Sequence, residues 1–168
     1  ISAGKAGQSS VTQTQYVLKA HGLSFDDMAK VDYIPFGEAA LMLKDGIVDA
    51  FSTGMSGYPI ASIQDVAASR GVRLLSLSPD KIKTLNEMNS AFVSTTLKGG
   101  IYRGQDKPIN TIMSTTTIIV RKDLDKETVY KITEAIFKNL ENIRNVHPVL
   151  KNISIEYASK NHGTPLHP

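Results

Sequence analysis

A polar loop near the start of the chain, Gly4-Lys5-Ala6-Gly7-Gln8-Ser9-Ser10, holds the residues best suited to binding chemistry. Its two glycines are three residues apart, so the backbone can adopt φ > 0 there and approach another molecule without an intervening Cβ. Ser9 and Ser10 are predicted to cap the helix that follows, whose first N–H groups have no intrahelical partner. Together with the positive end of the helix dipole, these groups would bind a carboxylate or a phosphate. An ordinary turn at the start of a helix fits the same residues.

A second polar loop, Ser52-Thr53-Gly54-Met55-Ser56-Gly57-Tyr58, follows an apolar run and leads into another helix. It offers hydroxyl and N–H groups but no general base. It is not the nucleophile elbow G-x-S-x-G, because Tyr58 stands in place of the last glycine. The first loop is not a Walker A motif either, because Ser9 rather than a lysine precedes Ser10. Neither loop therefore indicates an enzyme, and we expect the protein not to be one.

The composition excludes several classes of site. The chain has no cysteine, which rules out disulfides and thiolate metal ligands. Its four histidines show no i, i+4 pairing, so neither a metal site nor another cofactor is expected. The formal net charge of +3 comes from dispersed basic residues and does not suggest nucleic acid as a partner. No apolar run reaches the roughly 20 residues of a membrane span.

Short helical patterns alternate with short apolar runs along the chain. Helices are predicted over Val11–His21 (stopped by Gly22), Glu38–Asp45 (stopped by Gly46), from Pro59 to the stop at Gly71, from the cap Ser78 through Met88, and over Lys126–Asn145 with Asp125 and Thr128 at its start. Strands are predicted at Val31–Pro35, Ile47–Phe51, Val72–Leu77, Ala91–Thr95 and Thr111–Val120. In the first helix the period places Gln13 and Tyr16 on the side opposite the apolar face.

This alternation predicts an α/β fold with a largely parallel sheet. In such sheets ligands bind beyond the carboxyl ends of the strands, where both polar loops are expected to lie. The predicted domains are a ligand-binding α/β lobe over residues 1–100, an inter-lobe connection over residues 101–110, and a segment over residues 111–168 that returns to the other lobe.

Several segments, in order, resemble one known family, the TAXI group of solute receptors that serve tripartite TRAP transporters. The matching segments are Gly4–Ser10, Ala20–Asp27 (AHGLSFDD), Phe36–Ala40 (FGEAA), Leu43–Phe51 (LKDGIVDAF), Tyr102–Asp106 (YRGQD), Val129–Leu140 (VYKITEAIFKNL) and Pro165–Pro168 (PLHP). The resemblance covers nearly the whole chain.

The resemblance implies a type II periplasmic-binding-protein fold, with two lobes that each contain a mixed or parallel sheet flanked by helices. It further implies a precursor with a signal peptide, a periplasmic location, a small organic acid such as glutamate or 2-oxoglutarate as ligand, and the membrane subunits of a TRAP transporter as partners. The chain is interpreted as the C-terminal part of such a receptor, and the N-terminal lobe of the same protein is then a further partner. The isolated chain is accordingly expected to bind its ligand weakly.

The predicted ligand-binding residues come from the two polar loops. They are Gly4, Gly7, Gln8, Ser9, Ser10, Thr53 and Gly54. Two alternatives remain open at this point: an effector-binding regulatory domain, and an enzyme built on the same fold. Tyr102 and Arg103 could contact a ligand carboxylate, but a solvated connection is the favoured interpretation.

Overall fold

The computed structural model describes residues 1–54, 58–114, 116–146, 150–151, 153–159 and 165–168. The helices are α1 (Ser9–Ala20), α2 (Phe36–Asp45), α3 (Ala61–Ser69), α4 (Pro79–Met88), α5 (Lys126–Lys138), α6 (Leu140–Val146) and α7 (Ile155–Ala158), with a 3₁₀ turn at Phe25–Asp27. The strands are β1 (Phe92–Leu97) and β2 (Ile109–Ser114). The chain divides into two compact units, Ile1–Ser114 and Thr115–Pro168.

The first unit contains two kinds of backbone pairing. β1 and β2 form an antiparallel ladder in which Phe92 lies opposite Ser114. Among the residues that the structure describes, parallel pairing is confined to isolated bridges, in which Ser2 lies between Asp32 and Phe51. The mixed α/β prediction is therefore confirmed, but within the described residues the expected largely parallel sheet is reduced to these bridges. The predicted division into two lobes stays a prediction.

The short parallel bridges have a local cause. Ser2 donates its N–H to the Ala50 carbonyl at 2.9 Å and accepts the N–H of Ser52 at 2.8 Å. On the other side Asp32 donates to the Ile1 carbonyl at 2.8 Å. Pro35 ends the segment after Asp32, because it has no N–H for a ladder and is the N-cap residue of α2. Both parallel pairings are isolated bridges at Ser2.

Two other predicted strands differ from the structure. Residues 72–77 have no regular strand structure, although Leu77 donates its N–H to the Asn110 carbonyl of β2 at 2.8 Å. The strand predicted at Thr111–Val120 is instead Ile109–Ser114, and residues 116–120 lie outside regular structure. Ile118 and Ile119 are 66% and 81% exposed, so among the described residues this β-branched run lacks the packing that favours a strand.

Two apolar clusters lie in the core of the described part of the first unit. One contains Ala20, Leu85, Phe92 and Ile112, and Tyr16 packs edge-to-face on Phe92 with ring centroids 5.3 Å apart. The other contains Ile63, Ala67 and Tyr102. The placement of Tyr16 and Gln13 on the outer side of α1 was wrong, because Tyr16 packs in the core and Gln13 is buried, donating its amide N–H to Ser114 Oγ at 2.9 Å.

The helix ends in the first unit follow local signals. After α1 the Leu23 N–H bonds the Leu18 carbonyl, and after α2 the Ile47 N–H bonds the Met42 carbonyl, as in Schellman motifs. The predicted stops at Gly22 and Gly46 are therefore confirmed. α3 begins at Ala61, two residues later than predicted, with Ile60 at its N-cap.

The second unit is built on α5 and α6. Asp125 accepts the N–H of Thr128 at 2.8 Å, which confirms the predicted helix start. The single helix predicted to Asn145 is wrong, because it breaks at Asn139, whose side-chain amide donates to the Ala135 carbonyl at 2.7 Å. An asparagine amide that bonds the preceding turn competes with the helix backbone in this way. None of the residues described in this unit is buried.

Candidate functional site

The Gly4 loop begins directly after the central bridge residue Ser2. Gly4 has φ +93°, a conformation that costs a residue with a Cβ roughly 1–2 kcal/mol. A Cβ at Gly4 would also clash with Ser10 Oγ and lie 3.2 Å from Phe36 Cε1. Glycine at this position therefore allows the loop to fold closely over the start of α1.

The start of α1 differs from the predicted cap. Gln8 is the N-cap residue and its side chain makes no capping bond, while Ser9 and Ser10 are the first two helical residues. The prediction that Ser9 and Ser10 cap the helix was therefore wrong by one to two positions. Within the described residues the N–H groups of Ser9 and Ser10 have no acceptor, whereas Val11 donates to the Gln8 carbonyl at 3.2 Å.

Ser10 is completely buried beneath the loop. Its Oγ makes no hydrogen bond within the described part of the chain, and its carbonyl accepts the hydroxyl of Thr14 at 2.8 Å. Ser9, Gln8 and Gly7 are exposed. The first loop thus presents the Gly7–Ser9 segment to solvent and keeps Gly4 and Ser10 underneath it.

The second polar loop lies against the first. A Cβ at Gly54 would be 3.2 Å from Ser10 Cβ and 3.4 Å from Ser10 N. Thr53 and Gly54 are half-buried. Residues 55–57, which include most of the segment compared with the nucleophile elbow, lie outside the described residues.

The topology explains why these loops meet. Ser2 and Phe51 pair in parallel, so the residues that follow each of them leave the pairing at the same edge. The Gly4 loop follows Ser2, and Ser52–Gly54 follows Phe51. The structure thereby brings all seven predicted site residues to one edge. Their contact with a ligand stays a prediction.

The charges around this edge favour an anion. The first turn of α1 contains no acidic residue, and Lys5 is exposed within the loop. The carboxylate of Asp32, which pairs with Ser2, is bridged by Lys30 Nζ at 2.8 Å. The first turn of α1 therefore adds no negative charge of its own to the positive end of the helix dipole. No group of three or more His, Asp or Glu side chains that could hold a metal ion occurs among the described residues.

Tyr102 is a residue whose role sequence reasoning missed. It is buried, and its hydroxyl oxygen accepts the N–H of Ile60 at 3.0 Å. Burial raises the pKa of Tyr102; burial and then the neighbouring Tyr102 raise the pKa of Tyr58 well above its usual range. The interpretation of Tyr102 as part of a solvated connection was therefore wrong. The sequence feature that could have indicated its burial was the position of an aromatic residue within the glycine-containing stretch 99–104.

The comparison with protein families shows where this chain belongs. The model of the NMT1-like family matches residues 1–168. No helix in the described ranges combines the length and apolar character needed to cross a bilayer.

Proposed function

This chain belongs to the NMT1-like family, a periplasmic-binding-protein-like family related to solute-binding proteins, and on that premise we propose that it binds a small organic acid for a transporter. The receptor is of the TAXI type, lies in the periplasm, and delivers its ligand to the membrane subunits of a TRAP transporter. The ligand is a carboxylate of the glutamate or 2-oxoglutarate class. The chain binds and releases this ligand without catalysing a reaction.

The observation that carries the proposal is the contact between the two loops at the start of α1. The Ser9 N–H has no acceptor in the described residues and lies in the exposed part of the loop. Thr53 and Gly54 form the adjacent wall, since Gly54 packs on Ser10. A carboxylate placed there would accept N–H bonds at a positive helix end, with Lys5 in the same loop adding charge.

The proposed contacts divide the seven residues into two groups. Gly7, Gln8, Ser9, Thr53 and Gly54 border the ligand. Gly4 and Ser10 support them from beneath, because both are buried. A few hydrogen bonds worth about 0.5–1.5 kcal/mol each at a solvent-open edge correspond to weak, roughly millimolar binding.

The experiment is an NMR titration of the ¹⁵N-labelled chain with 2-oxoglutarate and, separately, L-glutamate, because chemical shifts detect millimolar binding. The amides of Ser9, Thr53 and Gly54 should shift in a saturable way. Ser9→Ala, which removes the exposed hydroxyl beside that N–H and keeps the N–H itself, should weaken the binding, and Ser78→Ala, at the N-cap of α4, should leave it unchanged. Dimethyl 2-oxoglutarate, which carries no charge, is the ligand control.

Two outcomes would contradict the proposal. One is an absence of saturable shifts at these three amides at tens of millimolar ligand. The other is equal shifts with the uncharged diester, which would show that no carboxylate is recognised. The transport role is tested with proteoliposomes that contain co-expressed TRAP membrane subunits, in which uptake of labelled ligand should require the receptor.

A further inference from the structure

The loop from Lys98 to Lys107 (the clamp loop) contacts both ends of α3. At the N-terminal end the Tyr102 hydroxyl oxygen accepts the Ile60 N–H at 3.0 Å. At the C-terminal end Arg103 Nη1 donates to the Ala68 carbonyl at 2.8 Å. Tyr102 and Arg103 therefore hydrogen-bond backbone groups at the two ends of α3 that have no partner within the helix.

Gln105 braces the clamp loop from inside. Its buried side-chain amide donates to the carbonyls of Lys98 and Lys107, at 3.0 and 2.7 Å, and its Oε1 accepts the Ile101 N–H. Its main-chain N–H bonds the Tyr102 carbonyl at 3.0 Å. All these partners lie within the clamp loop. The hydrogen bonds of Gln105 therefore fix the backbone of this loop around Tyr102.

Residues at both ends of the second polar loop pack against the cluster that contains Tyr102. Phe51, immediately before that loop, packs against the cluster of Ile63, Ala67 and Tyr102. Tyr58 and Ile60, at its far end, pack against the same cluster. Thr53 and Gly54 therefore lie, along the chain, between residues that pack against the cluster containing Tyr102.

We propose that Tyr102 is a positioning residue of the ligand site: it belongs to the cluster on which Phe51 packs, directly before Ser52, and its hydroxyl holds Ile60 beyond the loop, so that Thr53 and Gly54 stay against the start of α1. This inference rests on the proposed function for its ligand, but the positioning itself is a property of the fold. Tyr102 does not touch the ligand, because its side chain is buried in the cluster.

The test compares Tyr102→Phe with wild type. Phenylalanine keeps the ring in the cluster and removes only the oxygen that accepts the Ile60 N–H. The matched control is Tyr16→Phe, in the other apolar cluster, where the ring packs on Phe92. Amide hydrogen exchange and the NMR titration with 2-oxoglutarate are measured for all three proteins.

Tyr102→Phe should speed exchange at the Ser52 amide as well as at Ile60. The Ser52 N–H bonds the Ser2 carbonyl at 2.8 Å and makes no contact with the lost oxygen, so its exchange reports positioning of the loop. Exchange in α4 should stay as in wild type, which a general loss of stability would not allow. The dissociation constant for 2-oxoglutarate should rise by about threefold and by no more than about tenfold, the limit set by the free energy of one hydrogen bond.

The outcomes separate this inference from the proposed function. Unchanged Ser52 exchange, or an unchanged dissociation constant in a variant that binds, overturns the role of Tyr102. If wild type itself shows no saturable shifts, the proposed function fails, and Ser52 exchange alone then decides whether Tyr102 positions the loop.

Discussion

Gly54 lies directly against Ser10, so that a Cβ at position 54 would be 3.2 Å from Ser10 Cβ. These residues are 44 positions apart in the chain and belong to different polar loops. Their contact joins the two loops into one edge and leaves no space between them for a side chain. The edge therefore depends on close packing of backbone as well as on the polar groups it presents.

Gly54→Ala should disturb this contact. The added methyl group would be 3.2 Å from Ser10 Cβ, so the loop must move by a few tenths of an ångström. We expect a loss of about 1 kcal/mol in the free energy of unfolding, as for other overpacked sites, together with weaker ligand binding. Urea denaturation and the NMR titration measure the two effects.

Gly37→Ala is the matched control for this change. Gly37 lies within α2 and a Cβ there meets nothing within 4 Å. Alanine should stabilise the protein by up to about 1 kcal/mol, because it favours the helix. Equal stability changes in the two variants would contradict the packing argument.

Gly4→Ala should be far more damaging than Gly7→Ala. Both positions have positive φ, +93° and +81°, so the backbone strain is similar. A Cβ at Gly4 would clash with Ser10 Oγ, whereas a Cβ at Gly7 meets nothing within 4 Å. We expect losses of about 1–2 kcal/mol for Gly7→Ala and at least about 3 kcal/mol for Gly4→Ala by chemical denaturation. Adding Ser10→Ala should recover part of the Gly4→Ala loss, and strict additivity would contradict the clash.

Ser10→Ala should increase stability. The Ser10 hydroxyl is buried and makes no hydrogen bond within the described residues, an arrangement that costs about 1–3 kcal/mol. Removing it should raise the free energy of unfolding by about 1 kcal/mol and leave affinity nearly unchanged. Ser9→Ala should instead leave the free energy of unfolding nearly unchanged and weaken ligand binding, since the Ser9 side chain is exposed at the edge. A roughly tenfold loss of affinity in Ser10→Ala would instead show that this hydroxyl reaches the ligand.

The start of α5 should depend on pH. The Thr128 side chain, and then its N–H, hold the pKa of Asp125 below its ordinary value by hydrogen bonding the carboxylate. The folded pKa is therefore below the unfolded one, so the stabilisation is present above the unfolded pKa of about 3.9 and is lost as pH falls through the folded pKa. Amide exchange in the first turn of α5 should accelerate over that range. In Thr128→Val the pKa of Asp125, measured by NMR titration, should return towards its ordinary value; an unchanged pKa would contradict the assignment.

The sequence alone determined the features that depend on neighbours a few residues away. The stops at Gly22 and Gly46 and the start of α5 at Asp125 are confirmed, because the hydrogen bonds that make them span three to five residues. The order of the motifs also indicated the solute-binding class, which the family match supports at its coarser level. The break at Asn139 was equally local and was missed, because the apolar period continues through it.

Only the tertiary structure decided which surfaces are buried and which loops meet. Gln13 is buried where it bonds Ser114, which is 101 residues away in the chain. Tyr16 is on the inner side because it packs on Phe92. Tyr102 supports the second loop through Ile60, 42 residues earlier. Helical periodicity averages over one element and carries no information about such distant partners. The edge formed by Gly54 and Ser10 likewise exists because Ser2 pairs in parallel with Phe51, a contact that no local signal in either segment specifies.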